Sequence, residues 1–276
     1  MFSPNCVVAL LAPEMAIKSS AVRVFMQQRL KKNVLLCLKN NGLKPERIVF
    51  LWGRFLIFSK TPGQVIEILK KCFGIHALYL AEERIFSSLE ELENISVDVC
   101  SGRLEDGSFA VRGKSFVKDF SSKKLEEELG AALLRAFPKL KVNLGSPQKE
   151  LFCIVDKNKV VLFFERILAA QGMPVSSQGK AALLVDGYDK SDLVELGLFL
   201  LKSGCGLLLV GSKEIELKEL FEWNSFQKVK FVSVNTAKEY YSRNGVIAFF
   251  SPAKTMKETE RDSGLVGVKV FVPNLF

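Results

Sequence analysis

The chain has 276 residues, of which 48% are hydrophobic and 25% charged, a globular composition that excludes extended disorder. Lysine and arginine number 39 against 30 acidic residues, so the formal net charge is +9. This charge favours a polyanionic partner, and the alternative is a solvated lysine surface without such a partner. The most apolar run, Leu196 to Val210, is interrupted and too short to span a bilayer, so we expect a cytoplasmic protein without a membrane partner.

The N-terminal part of the chain predicts a β-α-β-β-α unit closed by a strand. Cys6 to Leu11 forms the first strand, and a long amphipathic helix follows. The apolar side of that helix is predicted at helical spacing by Val22, Phe25, Met26, Leu30, Val34, Cys37 and Leu38. A hairpin, a helix that starts at Thr61-Pro62-Gly63-Gln64 and a returning strand are predicted next. The strands of the hairpin and the returning strand are Ile48 to Trp52, Arg54 to Phe58 and Ile75 to Leu80.

The middle of the chain predicts a small α+β unit with basic loops. A helix is expected at Leu89 to Glu93, and a basic loop at Gly113 to Lys118. Ser121 or Ser122 caps a second helix, which buries a stripe that runs from Leu125 to Phe137. The predicted strands of this unit are Ile95 to Val99, Phe109 to Arg112, Val142 to Leu144, Leu151 to Val155 and Val160 to Phe164.

After Gly172-Met173-Pro174 the pattern changes to α/β alternation. Ala181 to Val185 is a continuous apolar run, typical of a parallel strand covered on both faces. A glycine turn and a helix through Leu193 and Leu200 follow. Further buried strands are predicted at Gly206 to Val210, Phe231 to Val234 and Val246 to Phe249. The predicted fold is therefore an α+β half followed by a parallel α/β domain that begins near residue 172.

The cysteines and the histidine indicate neither a metal site nor a nucleophile. Six cysteines lie far apart without a C-x-x-C pair, and His76 is the one histidine of the sequence. We therefore expect no metal ion. Cys205 precedes an apolar strand and is interpreted as a core residue rather than a catalytic one.

Several phrases, in order along the chain, resemble the tRNA 4-thiouridine synthetase (tRNA sulfurtransferase) family. Ala12-Pro13-Glu14-Met15-Ala16-Ile17-Lys18 is similar to the family's G-E-I-x-L-K-G signature, and Cys72-Phe73-Gly74-Ile75 to the phrase that closes its N-terminal domain. Phe109 to Phe116 with Leu129-Gly130 resembles a THUMP domain, an RNA-binding module. Gln178-Gly179-Lys180 resembles the approach to the family's adenylation domain.

The resemblance implies three domains: a ferredoxin-like domain at 1–75, a THUMP domain at 76–171 and a PP-loop-type adenylation domain at 172–276. In the family, the first two hold the acceptor arm of tRNA and present a uridine to the third. In that context we predict that basic side chains contact RNA phosphates, whereas Phe116 packs under its loop. The predicted contacts are Lys18, Arg29, Lys31, Lys32, Arg112, Lys114, Lys118, Lys123 and Lys124.

The adenylation turn of the family, S-G-G-x-D-S, aligns with Asp186-Gly187-Tyr188-Asp189-Lys190-Ser191. Small residues there let backbone amides approach phosphate oxygens at a helix N-terminus. Here Asp186 puts a carboxylate where phosphate would lie, and Tyr188 adds a Cβ and a ring. Gly187, Lys190 and Ser191 remain candidates for nucleotide binding. The segment Ser251 to Met256 also departs from the family's second nucleotide-contacting segment, and only 90 residues follow Asp186, so we expect a degenerate, shortened domain.

Two functions follow from the resemblance and stay open at this point. One is a tRNA-binding protein without adenylation activity, acting alone or delivering tRNA to a separately encoded enzyme. The other is an active ATP-dependent tRNA sulfurtransferase with an altered turn. The sequence leaves ATP binding and homodimer formation open.

Overall fold

The computed structural model describes residues 1–51, 53–118, 120–223, 229–237, 246–266 and 269–273, and Trp52 of the predicted hairpin lies outside these ranges. Two compact units are present. Unit 1 comprises Met1–Ala9, Pro45–Ile66 and Leu78–Ile167, and unit 2 comprises Leu10–Lys44, Glu67–Ala77 and Leu168–Phe276. The division into domains 1–75, 76–171 and 172–276 stays a prediction.

Helices and strands follow one another throughout the described residues. The helices are α1 (Pro13–Ala16), α2 (Ser20–Asn40), α3 (Pro62–Leu69), α4 (Leu89–Cys100), α5 (Ser122–Ala136), α6 (Lys190–Lys202), α7 (Lys218–Trp223) and α8 (Met256–Val266), with a 3-10 turn at Val234–Thr236. The strands are β1 (Cys6–Leu11), β2 (Arg47–Leu51), β3 (Arg54–Phe58), β4 (Ile75–Ile85), β5 (Asp106–Ser115), β6 (Lys139–Val142), β7 (Lys149–Asp156), β8 (Lys159–Phe163), β9 (Ile167–Leu168), β10 (Lys180–Leu184), β11 (Gly206–Gly211), β12 (Lys230–Ser233), β13 (Val246–Phe250) and β14 (Val270–Phe271). None of the helices that the structure describes is long and apolar enough to cross a membrane.

The larger sheet is mixed and has nine strands among the described residues. Its order is β2-β3-β1-β4-β8-β7-β5-β6, and β9 pairs with β4. The antiparallel hairpin β2–β3 confirms the predicted hairpin, and the antiparallel pair β7–β8 confirms the strands predicted at Leu151 to Val155 and Val160 to Phe164. In unit 1, α4 and α5 cover β5, β7 and β8 and bury a core that includes Leu92, Leu125 and Leu151.

The smaller sheet belongs to unit 2, and every pairing described in it is parallel. Its order is β12-β11-β10-β13-β14. The central strands β10 and β11 are apolar along almost their whole length, and their side chains are buried on both faces, as expected of a parallel sheet. The α/β alternation predicted after residue 172 is confirmed.

One predicted strand is wrong. Ile95 to Val99 belongs to α4, which runs unbroken from Leu89 to Cys100. The β-branched residues Ile95, Val97 and Val99 favour a strand locally. The helix forms because Leu92, Ile95 and Val99 share one buried face and because the Ser88 hydroxyl accepts a hydrogen bond from the Glu91 amide at 3.1 Å.

Three further expectations need correction. The basic loop is shorter than predicted, since β5 continues through Ser115. The strand expected at Val142 to Leu144 begins earlier, at Lys139, and ends at Val142. On α2, Val22 and Phe25 are not buried but 40% and 46% exposed, because the buried face of that helix turns toward Met26, Leu30 and Asn33 instead.

Candidate functional site

The turn from Asp186 to Ser191 lies at the carboxyl edge of the smaller sheet, where the strand order reverses. The preceding strand, β10, has β11 on one side and β13 on the other. In open parallel sheets, ligands bind at such a reversal because the connections on the two sides diverge and leave a crevice. The turn that the sequence singled out follows β10 at this edge, and its role in ligand binding stays a prediction.

Asp186 uses its carboxylate inside the fold. The backbone amide of Ser212, directly after β11, donates to Oδ1 at 3.0 Å and to Oδ2 at 2.7 Å. This amide belongs to the same carboxyl edge and is the kind of donor that a phosphate oxygen accepts from. A negative carboxylate thus takes a donor that an anionic ligand would need.

Tyr188 turns its ring toward α8 and takes part in a network of three side chains. Its hydroxyl donates to Asp262, a residue without exposed surface. Arg261 donates to the Tyr188 oxygen at 3.2 Å and to Asp262 Oδ1 from Nη2 at 2.8 Å. The charge of Asp262 is therefore paired and hydrogen-bonded, as a buried carboxylate requires.

The same network changes the acidity of Tyr188. Burial of the phenol and, second, its hydrogen bond to the Asp262 carboxylate raise the pKa of Tyr188 from 10 to about 12. Both effects favour the neutral phenol, which is the form that donates the hydrogen bond. The Tyr188 side chain is thus held by the fold and does not project freely into solvent.

Of the predicted nucleotide contacts, Gly187 lies in the turn itself, and Lys190 and Ser191 are the first two residues of α6. Gly187 has φ +79°, a left-handed conformation that glycine adopts without strain. Lys190 and Ser191 are exposed in the first turn of α6. They remain available to an anion, although the close backbone approach of a paired-glycine turn is missing.

The segment after β13 also satisfies its own backbone. The amides of Lys254 and Thr255 donate to Glu258 Oε2 at 2.8 and 3.2 Å, and the Glu258 amide donates to the Thr255 hydroxyl at 3.2 Å. This reciprocal arrangement is a capping box at the start of α8. Two amides near the crevice are thereby occupied by a side chain of the protein itself.

A basic surface of unit 1 is formed where β5 leads into α5. Lys114, Lys118, Lys123 and Lys124 are all exposed in this stretch. The Ser121 hydroxyl caps α5 by accepting from the Lys124 amide at 3.1 Å, so the lysines of the first turn stand at a positive helix end. A helix N-terminus surrounded by lysines attracts phosphate.

Arg112, predicted with these lysines, is directed elsewhere. Its Nε donates to Glu150 at 2.8 Å and its Nη2 to the Leu144 carbonyl at 2.7 Å. Phe116 is half-buried, and its ring centroid lies 5.9 Å from Lys114 Nζ. The guanidinium of Arg112 therefore stabilises the fold locally, and the four lysines form the solvent-facing part of the predicted surface.

The remaining predicted contacts belong to unit 2. Lys31 and Lys32 are exposed on α2, whereas Lys18 and Arg29 are half-buried. The guanidinium carbon of Arg29 lies 6.0 Å from the centroid of the Phe25 ring. The structure thus distributes the nine predicted contacts over two units.

A cleft of about 790 Å³ in unit 1 was not predicted. Arg103, Lys149 and Arg166 line it together with aromatic side chains. The Arg103 guanidinium lies 4.6 Å from the ring centroid of Phe2 and 5.5 Å from that of Phe164. Cations beside aromatic rings can contact phosphate and base, but these residues are dispersed in sequence and share no motif that would have revealed them.

The cysteines are core residues. All six are buried, and burial raises the pKa of the Cys205 thiol, the opposite of what a nucleophilic thiolate needs. Within the described ranges, no three His, Cys, Asp or Glu side chains cluster in a way that would hold a metal ion.

Comparison with known proteins shows that the basic surface lies within a THUMP domain. A family model for the THUMP domain matches residues 86–165, a range that contains α4, α5 and β5 to β8. Proteins named tRNA sulfurtransferase are similar over most of the chain: that of Blochmanniella pennsylvanica is 27% identical over 245 residues, and that of Yersinia pestis 27% over 240 residues.

The chain contains a THUMP domain and is similar to the tRNA sulfurtransferases. These matches cover 83% and 82% of this chain but 50% and 49% of the two relatives, so the chain spans about half the length of the tRNA sulfurtransferases that it matches.

Two solved structures share the fold. A crystal structure of a Pyrococcus horikoshii protein superposes with a TM-score of 0.80 at 18% identity, covering 98% of this chain and 94% of that one. The crystal structure of a 4-thiouridine synthetase–RNA complex with bound ATP gives 0.73 at 20% identity, covering 98% and 81%. The expected fold, a THUMP-containing α+β part followed by a parallel α/β part, is confirmed.

Proposed function

We propose that this chain binds tRNA through its THUMP domain and does not adenylate it. The tRNA part is supported by the THUMP match, by the tRNA sulfurtransferase relatives and by the RNA-bound 4-thiouridine synthetase of the same fold. It is also supported by a net charge of +9 and by the exposed lysines at the start of α5.

The binding that we propose depends on phosphate contacts and on RNA shape. Lys114, Lys118, Lys123 and Lys124 are exposed point charges that suit phosphate oxygens rather than base edges. The double-stranded stem of the acceptor arm presents a continuous phosphate backbone to such lysines. The division into domains 1–75, 76–171 and 172–276 is part of the same proposal. Affinity is expected to fall steeply with salt and to depend little on the anticodon.

Two side chains of the turn, Asp186 and Tyr188, support the proposed loss of adenylation. The Asp186 carboxylate holds the Ser212 amide, and Tyr188 is bound to Asp262 and Arg261. A triphosphate at this edge would meet a fixed negative charge and would find its amide donor in use. The cost of displacing both contacts opposes ATP binding, so we propose a degenerate PP-loop domain.

In this reading the protein works in the cytoplasm and delivers tRNA to a separately encoded modifying enzyme. The second candidate is an active ATP-dependent tRNA sulfurtransferase. It is favoured by the position of the turn at the reversal of the strand order and by exposed Lys190 and Ser191 at the start of α6.

Calorimetry with ATP, with and without tRNA, together with filter retention of labelled tRNA, tests the proposal. We expect retention of tRNA and no heat of ATP binding. ATP binding that becomes tighter when tRNA is present would contradict the loss of adenylation and favour the second candidate. Failure to retain tRNA at low salt would contradict the first half.

Charge reversal tests the assigned surface. The double change Lys114→Glu with Lys118→Glu is expected to weaken tRNA binding strongly and to lower the salt slope by about two. The matched control reverses Lys230 and Lys257, which are exposed lysines of unit 2, with the same change in net charge. Equal losses in both variants would mean that net charge, rather than this surface, determines affinity.

A further inference from the structure

The solvent-facing side of α2 combines exposed apolar side chains with lysines. Val24, Phe25, Leu35 and Leu36 are 51%, 46%, 40% and 39% exposed. Helical spacing places them on one face together with exposed Gln28, Lys31, Lys32 and Lys39. We call these eight residues the outer face of α2.

The charge of this helix has one sign. From Ser20 to Asn40 the sequence carries five basic residues and no aspartate or glutamate. The opposite side of the helix is already used, since Met26, Leu30 and Val34 are buried there. The outer face is therefore a second apolar stripe, which the core of unit 2 does not need.

Three occupants fit this face poorly. RNA backbone would pair with Lys31 and Lys32, which the sequence analysis predicted as RNA contacts, but it offers nothing to the four exposed apolar side chains, so we assign these two lysines to a different partner. A second copy of α2 in a symmetric contact would place lysines against lysines. A membrane surface favours helices whose apolar and basic residues are segregated, whereas here Lys32 and Lys39 lie among the leucines.

We propose that the outer face of α2 binds an acidic amphipathic helix of a partner protein. Leucine-type side chains of such a helix would cover Val24, Leu35 and Leu36, and flanking carboxylates would pair with Lys31 and Lys32. The proposal rests on the proposed function, in which a separately encoded enzyme receives the tRNA, and it assigns a surface for that encounter. One helix face is small, so the interaction is weak and transient.

The test uses a fluorescent synthetic peptide of about 18 residues, built from leucine at helical spacing and glutamate elsewhere. Fluorescence anisotropy with the full chain is expected to show saturable binding. The double change Leu35→Ser with Leu36→Ser weakens it about tenfold, because the buried apolar contact is lost. The matched control is Leu134→Ser with Leu265→Ser, two leucines outside α2 that are 38% and 46% exposed.

Further measurements distinguish the proposed partner helix from RNA, a membrane surface and a second copy of the chain. Filter retention of tRNA is expected to stay unchanged in the Leu35/Leu36 variant, and its melting temperature is expected to match that of the control. Loss of tRNA retention in that variant would assign the face to RNA and overturn the proposal. So would anionic phosphatidylglycerol vesicles binding in place of the peptide, or a dimer in sedimentation that the variant abolishes. Failure of the unchanged chain to retain tRNA contradicts the proposed function, while the peptide measurement independently decides this surface.

Discussion

The hydrogen bond between Tyr188 and Asp262 links the turn from Asp186 to Ser191 to α8, and its contribution to stability can be measured directly. We consider Tyr188→Phe, Asp262→Asn and the double variant. Asp262 has no exposed surface, and hydrogen bonds to charged groups contribute about 1.5–3 kcal/mol. Since Tyr188 is partly exposed, water replaces some of the interaction, so the coupling free energy expected from the double-mutant cycle is about 1–2 kcal/mol.

Tryptophan fluorescence reports this free energy for unit 2. Trp223 stacks on Phe73 with ring centroids 5.6 Å apart, so its emission follows the packing of that unit. The sequence has two tryptophans, and replacing Trp52 by Phe in all variants leaves Trp223 as the single reporter. Urea unfolding curves with a common slope then give the free energy of unfolding for each member of the cycle.

An exposed ion pair of the same unit is the control. Lys254 and Asp192 lie 3.0 Å apart, and the Lys254 side chain is 58% exposed. The cycle of Lys254→Met with Asp192→Asn is expected to give a coupling of at most about 1 kcal/mol. A coupling for Tyr188 and Asp262 no greater than about 0.5 kcal/mol would refute the reasoning, because sites that do not interact add to within that amount.

Four further outcomes are expected. A tyrosine that ionises near pH 10 when unfolded but near 12 in the native state stabilises the fold below pH 10 and loses that contribution as pH rises to 12, so alkaline unfolding is steeper for the unchanged chain than for Tyr188→Phe. Gly172→Ala is expected to cost about 2 kcal/mol or more in urea unfolding, since φ is +70° and the new Cβ would lie 2.4 Å from the Lys202 carbonyl oxygen. Gly130→Ala, with open space around its Cβ inside α5, is expected to stabilise by about 0.5–1 kcal/mol. Ser121→Ala is expected to cost about 1 kcal/mol and Ser121→Asp nearly nothing, both followed by thermal unfolding, because the aspartate restores the cap.

Sequence patterns predicted those parts of the fold that depend on neighbours in the chain. The apolar run at Ala181 indicated a buried parallel strand because its composition alone requires cover on both faces. The stretch Ile95 to Val99 misled because strand propensity and helical spacing point in different directions there, and tertiary packing favours the helix. Burial on α2 was only half predicted, since two apolar stripes on one helix cannot be ranked from sequence.

At the candidate site, too, the sequence did not predict contacts between residues that are distant in the chain. The order of residues from Asp186 to Ser191 predicted a ligand turn and its departures from the family's pattern, and both stay predictions. The partner of Tyr188, however, is Asp262, 74 residues away, and no local pattern at Glu260 to Asp262 marks it. Tyr188 can be singled out in the sequence, but its contact with Asp262 can be found only from the fold.

These contacts bear on the loss of nucleotide binding that we propose for this turn. A crevice with free amides and an unpaired guanidinium gains stability when an anionic ligand binds. Here the carboxylates of Asp186 and Asp262 occupy the Ser212 amide and Arg261 without a ligand. The groups that would oppose phosphate are thus groups that stabilise this edge of the sheet, so the loss of nucleotide binding that we propose and the stability of this edge would have one physical cause.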